Sequence, residues 1–264
     1  MPPGGSPART LWYCGRPPKS NRRPESQRPA LFYGADVVPI ALVIGTGRWY
    51  NRAMSLRTRI LDLTGLDHFA LVAPYYEQVI SPANLAPLLE LLDLPPHGRL
   101  LDVGGGTGRV AGALAGRVGQ LVLADPSHPM LRQAAAKNGL QPANAVAEQL
   151  PFPPGCFDRI LMVDALHHVA DRWRTARELM RVLAPGGRIV IEEPDIAHAS
   201  VKLVALAEKL ALMQSHFLRP RRIQALFEAL GGRATLHSLP DDVNVWVLVT
   251  KPGARGPGGK EART

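Results

Sequence analysis

Three features of the chain predict an α/β fold, a Rossmann-like doubly wound and mostly parallel sheet of about seven strands with helices on both faces. Short apolar runs alternate with amphipathic helical segments from residue 99 onward. A glycine-rich turn follows the first of those runs directly. Near the C-terminal end, two β-type runs are separated only by the polar turn Pro240-Asp241-Asp242. So short a connection forces its strands antiparallel, which places one reversed strand near the edge of the sheet.

Residues 1–53 stand apart, with eight prolines, eight basic residues and neither a helical nor a strand period. They are expected to be a disordered leader or an over-extended start, because the segment MSLRTRILDLTG from Met54 reads as a natural beginning. Residues 66–80 and 82–94 carry apolar residues at helical spacing and form an expected N-terminal helical cap. The expected strands are 99–103, 120–124, a weak one at 144–147, 159–163, 188–192, 234–239 and 243–250. Helices are expected at 109–118, from an N-cap at Ser127 to 137 with Asn138-Gly139 as its stop, and at 173–183. Further helices are expected at 199–217 and 221–230. The expected domain is therefore 54–250, with 99–195 as its core, and 251–264 is a disordered basic tail.

Charge and cysteine content narrow the function classes. The formal net charge is +9, yet 8 of the 31 Lys and Arg residues fall in 1–53 and 4 in 251–264, against 2 and 1 of the 22 acids. Residues 54–250 thus hold 19 of each sign, which argues against a nucleic-acid face on the folded domain. Two cysteines, Cys14 and Cys156, do not suggest a disulfide framework, so a reducing cytoplasm is expected. The apolar stretches 37–45 and 201–213 are too short or too interrupted for the ~20 residues of a membrane span. Arg22-Arg23 lacks the hydrophobic neighbours and cleavage site of an export signal.

The turn Val103-Gly104-Gly105-Gly106-Thr107-Gly108 joins a strand to a helix. Absent side chains let a ligand approach the backbone, and the helix start offers unpaired N–H groups. Asp125, nineteen residues beyond Gly106, ends the next strand and suits two ribose hydroxyls. The spacing Gly104-x-Gly106-x-Gly108 differs from the G-x-G-x-x-G of pyrophosphate sites. Asp102 would repel a diphosphate but suits an ammonium group, as at the amino-acid end of S-adenosylmethionine.

On LDVGGGTGR (101–109), LADPS (123–127), AEQLPFPPGCFDRI (147–160), DALHHV (164–169) and RVLAPGGRIVIEEPD (181–195), the chain resembles the class I S-adenosylmethionine-dependent methyltransferases. The resemblance is to their ubiquinone/menaquinone-type small-molecule subgroup. It implies that Asp102, Gly104 and Gly106 face the methionine moiety, Asp125 the ribose, and Ala147 with Glu148 the adenine. Asp164 would face the cofactor or the transfer site. Ala73-Pro74-Tyr75-Tyr76-Glu77 is similar to the stretch whose tyrosine, here Tyr76, closes over the cofactor. Val146 departs from the pattern, since relatives often place an aspartate there. The implied activity is methyl transfer to a small-molecule acceptor by in-line displacement, which requires alignment and exclusion of water more than an acid or base.

A general base is needed only for a protonated nucleophile, and His167 and His168 are the candidates. Glu192, Glu193 and Asp195 end a strand, where alternation keeps the two glutamates from sharing a face; no metal site is expected from them. The 199–217 helix reads as core packing, with the wall of an apolar acceptor pocket or a dimer face as alternatives. Arg219, Arg221 and Arg222 read as a solvated helix start that could also meet an anionic substrate. Cys156 lacks the neighbours of a nucleophile. Two alternatives remain, an NAD(P)-dependent oxidoreductase and a catalytically silent S-adenosylmethionine-binding protein.

Overall fold

The computed structural model describes residues 85–198, 201–202, 216–240 and 242–253. Expectations for 1–84, including the leader, the 66–80 helix and Tyr76, lie outside the described residues, as do those for 254–264 and most of 199–217. The elements run α1 (Leu85–Leu92), β1 (Arg99–Val103), α2 (Arg109–Leu114), β2 (Gln120–Asp125), α3 (His128–Ala135), β3 (Leu140–Asn144) and β4 (Phe157–Val163). After a 3-10 turn at Leu166–His168 come α4 (Arg172–Val182), β5 (Leu183–Pro194), α5 (Pro220–Glu228), β6 (Arg233–Ser238) and β7 (Asn244–Thr250). The seven strands form one sheet in the order β3-β2-β1-β4-β5-β7-β6.

Strands β1 to β5 pair in parallel, and β7 runs antiparallel to both β5 and β6. The expected fold class holds, with the reversed strand one place in from the edge. Alternation divides the strand side chains between two faces. Leu100, Leu121, Leu123, Leu161, Val190 and Trp246 join a buried cluster with residues of α1, α2 and α3. Helix α4 packs on β5, and α5 packs on β6 and β7. Their intervening neighbours Leu101, Val122, Ile160, Ile189, Ile191 and Val247 are equally buried. Strands buried on both faces explain the near-continuous apolar runs.

The order reverses between β1 and β4, since the chain leaves β1 for β2 and β3 and then returns to β1's other side. Ligands of open α/β sheets bind at the carboxyl ends of the strands flanking such a point. Arg159 of β4 braces the far side. Its guanidinium bonds to the carbonyls of Leu92 and Asp93, capping α1, and Asp93 also pairs with Arg188 at 3.1 Å.

Several boundaries differ from expectation. Gly139, with φ at 82°, turns the chain straight into β3, which pairs from Leu140 with Leu121, so the strand precedes 144–147. Helix α2 ends at Leu114, not 118, because the chain turns at Gly116, where φ is 79°. Strand β5 starts at Leu183, directly after α4, and carries Pro185-Gly186-Gly187 within it, with a register irregularity against Phe157/Arg159. His216–Arg219 are not helical, so Phe217 is not the end of a helix. Cys156 is disulfide-bonded. No disulfide was expected from two cysteines, and Cys156 departs from that expectation. No helix among the described residues is long and apolar enough to cross a membrane.

Candidate functional site

The loop after β1 is shaped by left-handed backbone at Gly104 (φ 71°) and Gly106 (φ 55°), a region that side chains make costly. The two glycines serve different purposes. A Cβ on Gly104 would lie 2.6 Å from the Cβ of Ala165, so the turns after β1 and β4 touch there. A Cβ on Gly106 would meet only Met130 Sδ, at 4.0 Å, leaving open space above the backbone. Asp125 fixes this loop, with Oδ2 accepting from Gly106 N–H at 2.9 Å and Oδ1 from Ser127 N–H at 2.8 Å.

Asp102 lies under the same loop and is only 2% exposed. Its Oδ2 has no hydrogen-bond partner among the described residues. Burial above all, and then the charge of Asp125, push its carboxyl up to about 7, with Arg109 opposing them. A buried, unsatisfied carboxylate is costly to a fold, and a cationic ligand group would relieve it. The sequence-predicted Asp102, Gly104, Gly106 and Asp125 are therefore brought together at one place.

A second cluster caps β4 and β5. Asp164 adopts φ 51°, a left-handed conformation that aspartate tolerates better than most residues. Its N–H donates to Glu192 O at 3.0 Å. Beyond it, the Ala165 and Leu166 N–H groups both donate to Glu193 Oε1, at 3.1 and 2.7 Å. Glu193 Oε2 lies 2.7 Å from His167 Nδ1, both residues being buried. Phe217 stacks on the His167 ring, with centroids 4.3 Å apart and planes at 15°. His168 lies beside it, and burial, then the neighbouring His167, push its imidazole down to about 3.

Glu192 faces the other way, as strand alternation requires. It accepts from Trp246 Nε1 at 2.9 Å and from Asn244 Nδ2 at 3.0 Å, both on β7. Burial first, and Asp164 second, push it up to about 7 against the Trp246 hydrogen bond. Asp195 closes its own turn, accepting from Ala197 N–H. Among the described residues no group of acids, histidines and cysteines could hold a metal ion.

Two further predicted positions lie in the loop after β3. Glu148 Oε1 accepts from the N–H groups of Ala170 and Asp171, at 2.8 and 3.2 Å, so this carboxylate braces the start of α4. Ala147 is half-buried beside it and Val146 is exposed. Sequence reasoning missed the His167–Glu193 pair, whose members lie 26 residues apart. The available signal was the order of two strand ends, since adjacent parallel strands bring DALHHV and IEEPD to the same edge.

Residues 101–191 match the family described as a methyltransferase domain. The ubiquinone/menaquinone biosynthesis C-methyltransferase UbiE of Ectopseudomonas mendocina is 35% identical over 115 residues, covering 40% of this chain and 45% of that protein. The chain thus spans less than half the length of the curated relatives it matches. Among solved structures, a possible histamine N-methyltransferase of Thermotoga maritima is similar with a TM-score of 0.57 and 25% identity, over 69% of this chain and 98% of that one. Phosphoethanolamine N-methyltransferase 2 of Haemonchus contortus, solved with S-adenosyl-L-methionine, shares the fold at a TM-score of 0.59 and 19% identity, over 76% and 61%.

Proposed function

Because this chain carries the core of the class I S-adenosylmethionine-dependent methyltransferases, we propose that it transfers the cofactor's methyl group to a small-molecule acceptor. The observation that carries the reading is Asp102 Oδ2, a buried acid oxygen with no partner among the described residues, lying against Gly105 in the loop where the Gly106 backbone faces open space. The residues fit the cofactor: Asp102 supplies an acceptor for its ammonium group, and Gly104 and Gly106 leave room for its amino-acid end. Asp125 still has lone pairs for sugar hydroxyls while its two oxygens hold the loop. Asp164, at the touching turn, faces the cofactor or the transfer site. When bound, the cofactor supplies an electrophilic methyl group on a sulfonium.

The remaining work falls to the protein. Glu193 orders the turn after β4 through two backbone N–H groups and holds His167 by its Nδ1. That bond sets the tautomer with the basic lone pair on Nε2, as a residue that accepts an acceptor's proton requires. His168, pushed down to about 3, stays neutral and adds no competing charge. Aligned this way, transfer needs positioning and a dry site.

Calorimetric titration with S-adenosylhomocysteine and, separately, with NAD tests the cofactor. Binding of the first and not the second is expected, and the reverse would return the oxidoreductase alternative. Incubation with labelled S-adenosylmethionine and a metabolite extract then identifies the acceptor. Cofactor binding without any labelled product would favour the silent binding protein.

A further inference from the structure

Arginines gather at the start of α5, and no ion pair among the described residues neutralises them. Arg219, Arg221 and Arg222 are exposed, and the first turn of α5 contains no acid. A helix N-terminus favours negative charge, so three cations there oppose the helix's own field. No ion pair or side-chain hydrogen bond engages Arg219 or Arg222 among the described residues. Helix stability gives no reason for this arrangement, but an absent anion does.

Arg219 and Arg222 line a cavity of about 400 Å³ with Ile196, Phe217 and Leu218. Its lining combines three apolar side chains with two cationic ones. It also adjoins the cluster described above. Phe217 lines it and stacks on His167, and His216 N–H donates to His167 O at 2.8 Å. Arg172 Nη2 fastens the segment further by donating to His216 O at 2.7 Å. An acceptor seated here would meet guanidinium groups at one end and the His167 side of the site at the other.

We propose that the methyl acceptor is an amphipathic anion, an apolar body bearing a carboxylate or phosphate that Arg219 and Arg222 grip while Ile196, Phe217 and Leu218 cover the rest. This rests on the methyltransferase reading and narrows its substrate class. Guanidinium forks suit either oxyanion, and the cavity volume suits a small-molecule ligand.

The test is calorimetric titration of the full chain, saturated with S-adenosylhomocysteine, with 2-naphthoate, 2-naphthyl phosphate and the neutral 2-naphthalenemethanol. At least one anion is expected to bind tenfold or more tightly than the alcohol, roughly the effect of one charge-assisted hydrogen bond. The stronger of the two identifies the headgroup. In the Arg219→Ala/Arg222→Ala protein the preference should vanish, whereas Arg221→Ala, outside the cavity lining, should keep it. Retained S-adenosylhomocysteine affinity verifies that each variant is folded. Equal binding of alcohol and anions, no binding of any probe, or the same loss in Arg221→Ala would overturn the proposal with the cofactor reading intact. Failure of the wild-type chain to bind S-adenosylhomocysteine would overturn both.

Discussion

The ends of β1 and β2 and the ends of β4 and β5 are both rich in acids, yet they are finished differently. At the first, Asp102 keeps an oxygen without a partner and the backbone of Gly106 faces open space. At the second, Glu192 and Glu193 spend their oxygens on Trp246, Asn244, two backbone N–H groups and His167. Buried polar groups in a folded chain are normally satisfied, so the incomplete end is the one shaped for something else to complete it. The completed end is a rigid support that holds an imidazole in a chosen orientation. The difference separates the binding of a cofactor from the alignment of a reaction.

That separation can be broken by mutation. Asp125→Ala should cost the most, roughly a hundredfold in S-adenosylhomocysteine affinity by calorimetry, because two charge-assisted loop bonds and a sugar contact go together. Unchanged affinity would remove the β1–β2 end from the site. Glu193→Gln should lower the methyl-transfer kcat by roughly ten- to thirtyfold while leaving that affinity within about threefold, since it disturbs His167 and not the glycine loop. The reverse pattern, with binding lost and turnover kept, would exchange the roles of the two ends.

Asp102→Asn sharpens the comparison through pH. Asp102 is raised from 3.8 to about 7 and Glu192 from 4.5 to about 7, so each holds a proton in the folded chain that the unfolded chain has already released. Their stabilising contribution is complete below those unfolded values and is lost as pH rises to about 7. His168, lowered from 6.5 to about 3, works in the opposite direction and removes stability as pH falls below 6.5. Tm should therefore rise as the pH falls from about 7.5 to 6.5, by of order 1 kcal/mol per pH unit for each acid at most, and rise more slowly below 6.5, where His168 offsets one of the two. In Asp102→Asn the rise should shrink by about half, and S-adenosylhomocysteine affinity at pH 8 should fall by roughly tenfold. A Tm curve identical to that of the wild type would show that Asp102 is already ionised in the folded chain. The smallest effect is expected from Gly106→Ala, whose φ of 55° suits glycine. The cost should be about 1–2 kcal/mol of stability, read from denaturant midpoints, with a few-fold loss of cofactor affinity.

What could be read from the residues follows the same division. The sheet was legible because strands buried on both faces leave apolar runs, and turns between antiparallel strands leave Pro-Asp-Asp. The glycine loop was legible because its requirement is local: a strand, a bend without side chains, and an acid one strand later. The support at β4 and β5 was not. Alternation placed Glu192 and Glu193 on opposite faces, but which face met His167 depended on the neighbouring strand's register. The bracing of Ala170 and Asp171 by the Glu148 carboxylate was not legible for a related reason, since nothing nearby in sequence indicates it. Helix ends at Leu114 and the start at Leu140 moved because single glycines at positive φ set them more sharply than apolar periodicity does.

The placement of β7 between β5 and β6 has a consequence for how the chain is made. The last of the described strands is an interior one, so β6 lacks its partner in this sheet until residues 244–250 have emerged. Until then the Glu192 carboxylate also waits for the indole and amide that hold it. A nascent or nicked chain ending before Asn244 would carry an unshielded acid and a raw strand edge on β5, both invitations to chaperones and proteases. Quality control of this protein would then be exerted at residues 244–250, far in sequence from the loop on which its chemistry depends.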